Sequence, residues 1–183
     1  MLQINFTPFP VLTTDRLILR QLKTTDEKEV LAIRSNETVN KYIDRPPTRS
    51  VKDARKFIDM ITKNISNNES AFWAITLKNN PALIGSITLW KISIEHERAE
   101  IGYELLPRFH GKGIMQEALT KVVEFGFQTM QLKTIVAFTN KDNEPSKKLL
   151  ERNNFRIDES MEEEKTEKEK LTTVVYSLRV IGQ

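Results

Sequence analysis

A chain of 183 residues, 39% hydrophobic and 29% charged, is long enough to bury one good core without covalent staples. It has no cysteine and two histidines, which excludes a disulfide framework and thiol chemistry and makes a zinc site a poor expectation, so no metal is expected. Its 28 cations against 25 anions do not call for nucleic acid, which wants a clustered basic face, but would suit an anionic ligand where a few cations gather. No basic leader precedes an apolar run at the start, and no apolar stretch approaches the roughly 20 residues that span a bilayer, so a cytoplasmic protein without a membrane partner is expected.

"RLILRQL" (16–22) is rich in aliphatics and reads as a strand. Thr24 or Thr25 is placed as the N-cap of a helix over "DEKEVLAIRSN", which has acidic residues in its first turn. "NKYIDRPPTRS" is a loop, because Pro46–Pro47 cannot continue a helix. Ser50 caps a second helix, with Val51, Ala54, Phe57, Ile58, Ile61 and Ile65 at spacings of three and four. Three strands follow, 71–78, 82–93 and 97–106, the first turn being Asn79–Asn80–Pro81; connections this short imply an antiparallel meander. A helix runs from about Gly113 to Met130, then a buried strand over 133–139. Asn143 caps a last helix through Arg152, with Pro145 tolerated in its first turn. "FRIDES" and "LTTVVYSLRV" are the last strands, and "MEEEKTEKEK" between them, lacking apolar periodicity, reads as a solvated hairpin loop or frayed strand ends. No linker or repeat divides the chain. The expectation is one α/β (α+β) domain over 1–183, core about 12–180, with a mixed, mostly antiparallel central sheet and helices on both faces.

"RFHGKGIMQEAL" (108–119) places two of only six glycines before a helix. First-turn N–H groups have no partner inside the helix, and with the helix dipole they favour an anion. Glycine lets the backbone turn sharply and lets a phosphate approach, and Arg108 and Lys112 add charge. The chemistry reads as pyrophosphate binding, against the plainer alternative of a strand-to-helix turn with two cations in water. A P-loop is excluded, since Lys112 is followed by Gly113 and no hydroxyl comes next. A dinucleotide fingerprint lacks its third glycine.

Arg108-x-x-Gly111-x-Gly113 resembles the acetyl-coenzyme A loop of the GNAT N-acetyltransferases. "AEIGYELLPRFHGKGIMQEAL" resembles the strand–loop–helix block of that family over its whole length, and "NKDNEPSKKLLERNNF" (140–155) the block after it. "LTTDRLILR" resembles the opening of the branch that contains the ribosomal-protein N-terminal acetyltransferases. The resemblance covers about residues 12–180. It implies acetyl-CoA as acyl donor, and a splay between the strand before the loop and the strand after its helix. It also implies pyrophosphate contacts from the amides of His110, Gly111, Lys112, Gly113, Ile114 and Met115, with help from Arg108. The pantetheine arm would pair near Leu105 and Leu106, with Asn140 and Asn143 on the far side; for Asn143 the plain cap alone is the favoured reading.

The implied chemistry needs a base for the amine, a donor for the oxyanion and a hydrogen bond for the departing thiolate. On the strand before the loop, Glu100, Gly102 and Glu104 share one face, so Glu100 is the first choice of base and Glu104 the second; the alternative for each is an ordinary salt-bridged strand glutamate. A backbone N–H near Leu105 or Leu106 would serve the oxyanion. Many family members carry a tyrosine acid on the helix after Asn143; here Leu149 and Leu150 stand in that region, and Ser146 matches the serine of the ribosomal-protein branch. Its alternative is a capping partner of Asn143. Acceptor contacts are expected from Asn36, Glu37, Tyr42, Trp73 and Trp90, the two tryptophans having core packing as the alternative. Direct transfer without a covalent intermediate follows from the absence of cysteine. The acceptor is open between a protein N-terminal amine, such as that of a ribosomal protein, and a small amine, and a non-catalytic acyl-CoA-binding domain stands as the other class. A homodimer is compatible with the branch.

Overall fold

A computed structural model describes residues 1–180, apart from the side chains of 162–164. Strands β1 (Leu12–Thr13) and β2 (Leu17–Arg20) lead through a 3₁₀ turn (Thr24–Asp26) to helices α1 (Glu27–Arg34), α2 (Glu37–Asn40) and α3 (Val51–Ser66). Next come β3 (Ala71–Leu77), β4 (Asn80–Ser93) and β5 (Arg98–Leu105), which form the antiparallel meander. Helix α4 (Ile114–Glu124) widens into a π-helical turn (Phe125–Thr129) and crosses over to β6 (Thr134–Asn140). The chain ends with α5 (Glu144–Arg152), β7 (Arg156–Ile157), a 3₁₀ segment (Glu159–Glu164), α6 (Glu167–Thr172) and β8 (Thr173–Arg179). All eight strands join one sheet, ordered β1-β2-β3-β4-β5-β6-β8-β7. Every neighbouring pair is antiparallel except β5–β6, whose parallel course the α4 crossover makes possible.

Strand alternation sorts the sheet residues to two faces. One face carries Trp73, Ile87, Leu89, Ile101 and Tyr103 and packs against α4 and its π turn, where Trp73 meets Phe125 edge-on at 5.4 Å. The other carries Phe72, Ser86, Thr88, Trp90, Glu100 and Glu104 and faces α1 and α3, where Phe72 meets Phe57. The α3 register holds as read: Ala54, Ile58, Ile61 and Ile65 are buried, and the Ser50 hydroxyl accepts the Asp53 N–H at 3.1 Å.

Four local expectations are corrected. Thr24 and Thr25 lie in the 3₁₀ turn and cap nothing; α1 starts after Asp26 without a side-chain cap, and the buried Asp26 carboxylate instead accepts the Lys23 N–H at 2.7 Å and pairs with Arg20 at 2.8 Å. The β3–β4 turn comes one residue early, with Leu77 already paired to Asn80, so Asn80 and Pro81 begin the strand. A short helix, α2, precedes the 41–49 loop, capped by Asn36 through the Val39 N–H at 3.0 Å. "MEEEKTEKEK" is not a solvated hairpin: Met161 packs with Val136 and Val175, the Lys165 ammonium reaches the Thr173 carbonyl at 2.8 Å, and Thr166 and Glu169 close a capping box on α6. A lone buried methionine and a local box leave no periodic signature.

Candidate active site

The cradle begins where β5 stops. Pro107–Phe109 make a 3₁₀ turn, and Gly111 and Gly113 then sit at φ +71° and +72°, a left-handed region that an L side chain enters only at a cost. Gly113 is the N-cap of α4, so the first-turn N–H groups behind it point out of the helix. A Cβ at Gly111 would meet nothing within 4 Å; its approach side is open. The exposed Arg108 and the Lys112 ammonium both flank the Phe109 ring, at 5.0 and 5.7 Å. His110 turns its ring back, its Nε2 lying 2.8 Å from the Leu105 carbonyl oxygen, and so ties the loop to the strand end.

The loop is also held from outside. Arg16 donates to the Lys112 carbonyl at 2.9 Å and pairs with Glu117, on α4, at 2.6 Å. The same carboxylate accepts from the Thr14 hydroxyl and the Arg16 N–H. Burial pushes the Glu117 carboxyl up, but these bonds outweigh it and hold it below the usual glutamate value.

Beside the cradle the sheet opens. β5 and β6 pair only at Arg98–Thr134, Ala99–Ile135 and Glu100–Val136. Beyond that apex β5 continues for five residues to Leu105, about 17 Å of strand, with no register to β6. Leu106 donates its N–H to Ile84 across the β4 side at 3.0 Å, while Gly85 stands opposite Leu105. By ladder alternation the backbone groups of Tyr103 and Leu105 therefore point into the gap. The Leu106 N–H, one of the two expected oxyanion donors, is already engaged.

Each face of the gap carries its own chemistry. On the α1/α3 face Glu100 is 8% exposed, its Oε2 lying 2.9 Å from the Lys91 ammonium in an ion pair without the alignment of a hydrogen bond. Burial raises the pKa of Glu100 above the usual glutamate value, against the lowering effect of Lys91. Glu104 is tied down: Arg45 meets it at 2.6 Å with both side chains nearly out of water, and the Ser86 hydroxyl adds a bond at 3.2 Å. Arg34 stands nearby, stacked over Phe57 at 3.8 Å and bonded to Thr48; burial and the Arg45 charge lower its pKa to about 10. On the other face the Ser146 hydroxyl, in the first turn of α5, lies 2.8 Å from the Tyr103 hydroxyl and accepts from Thr139 at 2.9 Å. Burial pushes the Tyr103 phenol up to about 12, so it stays protonated.

The remaining sequence candidates divide. Asn143 caps α5 through the Ser146 N–H at 3.3 Å, and Asn140 accepts the Asp142 N–H at 2.9 Å, so both side chains serve the local backbone. Ser146 takes that cap through its backbone N–H, while its hydroxyl joins β5 to β6. Trp73 has no exposure, and its indole N–H goes to the Pro10 carbonyl at 2.8 Å on the α4 side, which removes it from the acceptor face. Trp90 is 39% exposed beside Lys91. Tyr42 and the exposed Glu37 lie on the α2 and 41–49 wall, which Lys168 of α6 bridges through Asp44 at 2.5 Å. Sequence reasoning missed Tyr103, Thr139, Arg16, Glu117, Arg45 and Lys91. Each acts through a partner on another element; Arg16 lies inside the quoted "LTTDRLILR" and Tyr103 and Glu117 inside "AEIGYELLPRFHGKGIMQEAL", but no local pattern names their partners. Among the described residues no cluster of metal-ligating side chains occurs, and no helix is long and apolar enough to cross a membrane.

A parallel strand pair splayed beside a glycine cradle at a helix N-terminus defines a coenzyme A-dependent acyltransferase. The model of the acetyltransferase (GNAT) domain matches residues 16–156, and the chain belongs to this family of N-acetyltransferases, which use acetyl-CoA. The chain is similar to the uncharacterized N-acetyltransferase YoaA of Bacillus subtilis (strain 168), 35% identical over 81% of this chain and 84% of that one. A GNAT-family acetyltransferase from Bacillus anthracis superposes with a TM-score of 0.76 at 25% identity, over 93% of this chain and 98% of that one. RimL, a ribosomal L7/L12 alpha-N-protein acetyltransferase solved with coenzyme A, shares the fold at a TM-score of 0.81 and 18% identity, over 93% of this chain and 98% of that one.

Proposed function

We propose that the chain transfers an acetyl group directly to a primary amine, using Glu100 as base and Ser146 as the hydrogen-bond donor to the departing sulfur. The observation that carries this is the gap between β5 and β6, flanked by a buried carboxylate on one face and a half-buried hydroxyl network on the other. The cradle fits the donor: at the left-handed Gly111 the approach is open, and the α4 N-terminus behind Gly113 favours a pyrophosphate. The amides of residues 110–115 hold that group, with Arg108 at the edge. Acetyl-CoA, when bound, supplies an activated thioester.

The chain's own residues do the rest. Backbone groups of Tyr103 and Leu105 offer a strand edge to the amides of the pantetheine arm, and an N–H from this edge serves the oxyanion. Glu100 is poised by burial to take a proton from an ammonium. A serine hydroxyl has one hydrogen and two lone pairs. Thr139 and the protonated Tyr103 donate to those lone pairs, which leaves the Ser146 hydrogen free to turn into the gap. Glu104, committed to Arg45, shapes the acceptor wall.

Among acceptors we place a protein N-terminal amine first, following the resemblance of the opening segment and the fold shared with RimL. The experiment is coenzyme A release across an amine panel that includes ribosomal-protein N-terminal peptides, polyamines and amino acids. Turnover of a peptide above the small amines supports the reading, and the reverse order overturns that assignment. Binding of coenzyme A without turnover of any amine overturns the catalytic one.

A further inference from the structure

Lys91 lies on the acceptor side of the apex, two residues before the end of β4. Its backbone takes φ +46°, a left-handed conformation rare for a lysine, and the β4–β5 register shifts between Trp90 and Ser93. Bulges of this kind re-aim a side chain. Here the irregularity carries the ammonium inward over the sheet. It rests 2.9 Å from Glu100 Oε2, 4.5 Å from the Trp90 ring centroid and 5.5 Å from that of Phe138. Two aromatic rings and a buried carboxylate make an ammonium site, with the Glu169 charge from α6 acting on both partners. Lys121 and Lys147, by contrast, pair with the exposed glutamates Glu124 and Glu144 on their own helices. The Lys91 side chain is 54% exposed, so it is not sealed in the core. Its nitrogen touches the carboxylate that stands beside the closed end of the gap.

We propose that Lys91 is an internal acetyl acceptor, a modification site that this enzyme acetylates on itself. The inference rests on the acetyltransferase reading above. The ammonium first gives one proton to Glu100, which passes it to solvent. The freed Lys91 nitrogen then bonds to the acetyl carbon as the carbon–sulfur bond to coenzyme A breaks. The second nitrogen proton goes to the departing sulfur by way of Ser146, so the products are acetyl-Lys91, coenzyme A as thiol and one released proton. Acetylation removes the Lys91 charge and leaves Glu100 without its cation.

The test incubates the full chain with acetyl-CoA and no other amine, followed by intact mass and peptide mapping. One acetyl group on Lys91 is expected, at a rate independent of protein concentration and ~10-fold or more above that of exposed lysines such as Lys28 and Lys52, as an intramolecular reaction requires. Lys91→Arg is expected to lose it without a new site appearing, and Glu100→Gln to lose it as well. In the free protein, an amine-reactive label is expected to modify Lys91 more slowly than Lys28, with that protection lost in Glu100→Gln. Lys91 acetylated no faster than the exposed lysines, or labelled as fast as they are, overturns the inference. If coenzyme A raises the melting temperature and Lys91 stays unmodified, the inference alone falls. If coenzyme A has no such effect, the acetyltransferase reading falls with it.

Discussion

Arg45 and Glu104 offer a sharp energetic test, because both side chains are nearly out of water, at 13% and 10% exposure, and meet at 2.6 Å. Arg45→Met removes the cation and leaves the Glu104 carboxylate with the Ser86 hydroxyl at 3.2 Å. Glu104→Leu leaves two neighbouring guanidiniums, Arg34 and Arg45, without their shared anion. Removing one partner of a buried pair costs about 3–5 kcal/mol, whereas replacing both by apolar groups of similar volume is often neutral. For a chain of this size each kcal/mol lowers Tm by roughly 2–4 °C, so each single variant is expected to melt roughly 6–20 °C below wild type. Arg45→Met combined with Glu104→Leu should recover most of that loss. Urea and thermal denaturation of the four proteins complete the cycle. Single variants within about 1 kcal/mol of wild type, or a double variant as unstable as the sum of the singles, would refute the claim that these charges are buried and coupled.

Three further outcomes are expected. Because Glu100 titrates above an ordinary carboxylate and must be ionised to act, kcat/KM should rise with pH through that raised value and level off above it; Glu100→Gln should be slower by about 10²–10⁴-fold and lose that acid limb, and an unchanged pH profile removes Glu100 as base. Gly111→Ala places a side chain at φ +71° in an open approach, costing roughly 1–2 kcal/mol of stability and raising the KM for acetyl-CoA more than it lowers kcat; calorimetric titration with coenzyme A checks the binding part. Tyr103→Phe keeps the ring and removes one donor to Ser146, so kcat should fall with little change in coenzyme A affinity, and an equal loss in the two would show a merely structural role.

The parts legible in the sequence are those decided within a few residues. Ser50 and Asn143 sit where their helices begin, the α3 stripe repeats at three and four, and Gly111 and Gly113 stand where the backbone turns left-handed. The meander was legible because its turns are short. What escaped depends on partners far along the chain: Arg45 with Glu104 across 59 residues, Tyr103 with Ser146 across 43. Strand parity decides the two tryptophans, sending Trp73 to the α4 face and Trp90 to the other, and parity is read only once the register is known. Lys91 escaped for a different reason: no local pattern marks a lysine bent to φ +46° by a bulge.

The contacts of Arg16 show that the glycine loop is not a self-contained cassette. Its motif is written in residues 108–113, but part of its shape is imposed by a strand edge 96 residues upstream, through the Lys112 carbonyl. Grafted onto another strand–helix junction, the loop would bring its glycines and leave its brace behind. Loss of the first strands would loosen the glycine loop first. In lineages of this protein Arg16 and Glu117 should change together, as one unit with the glycines they brace.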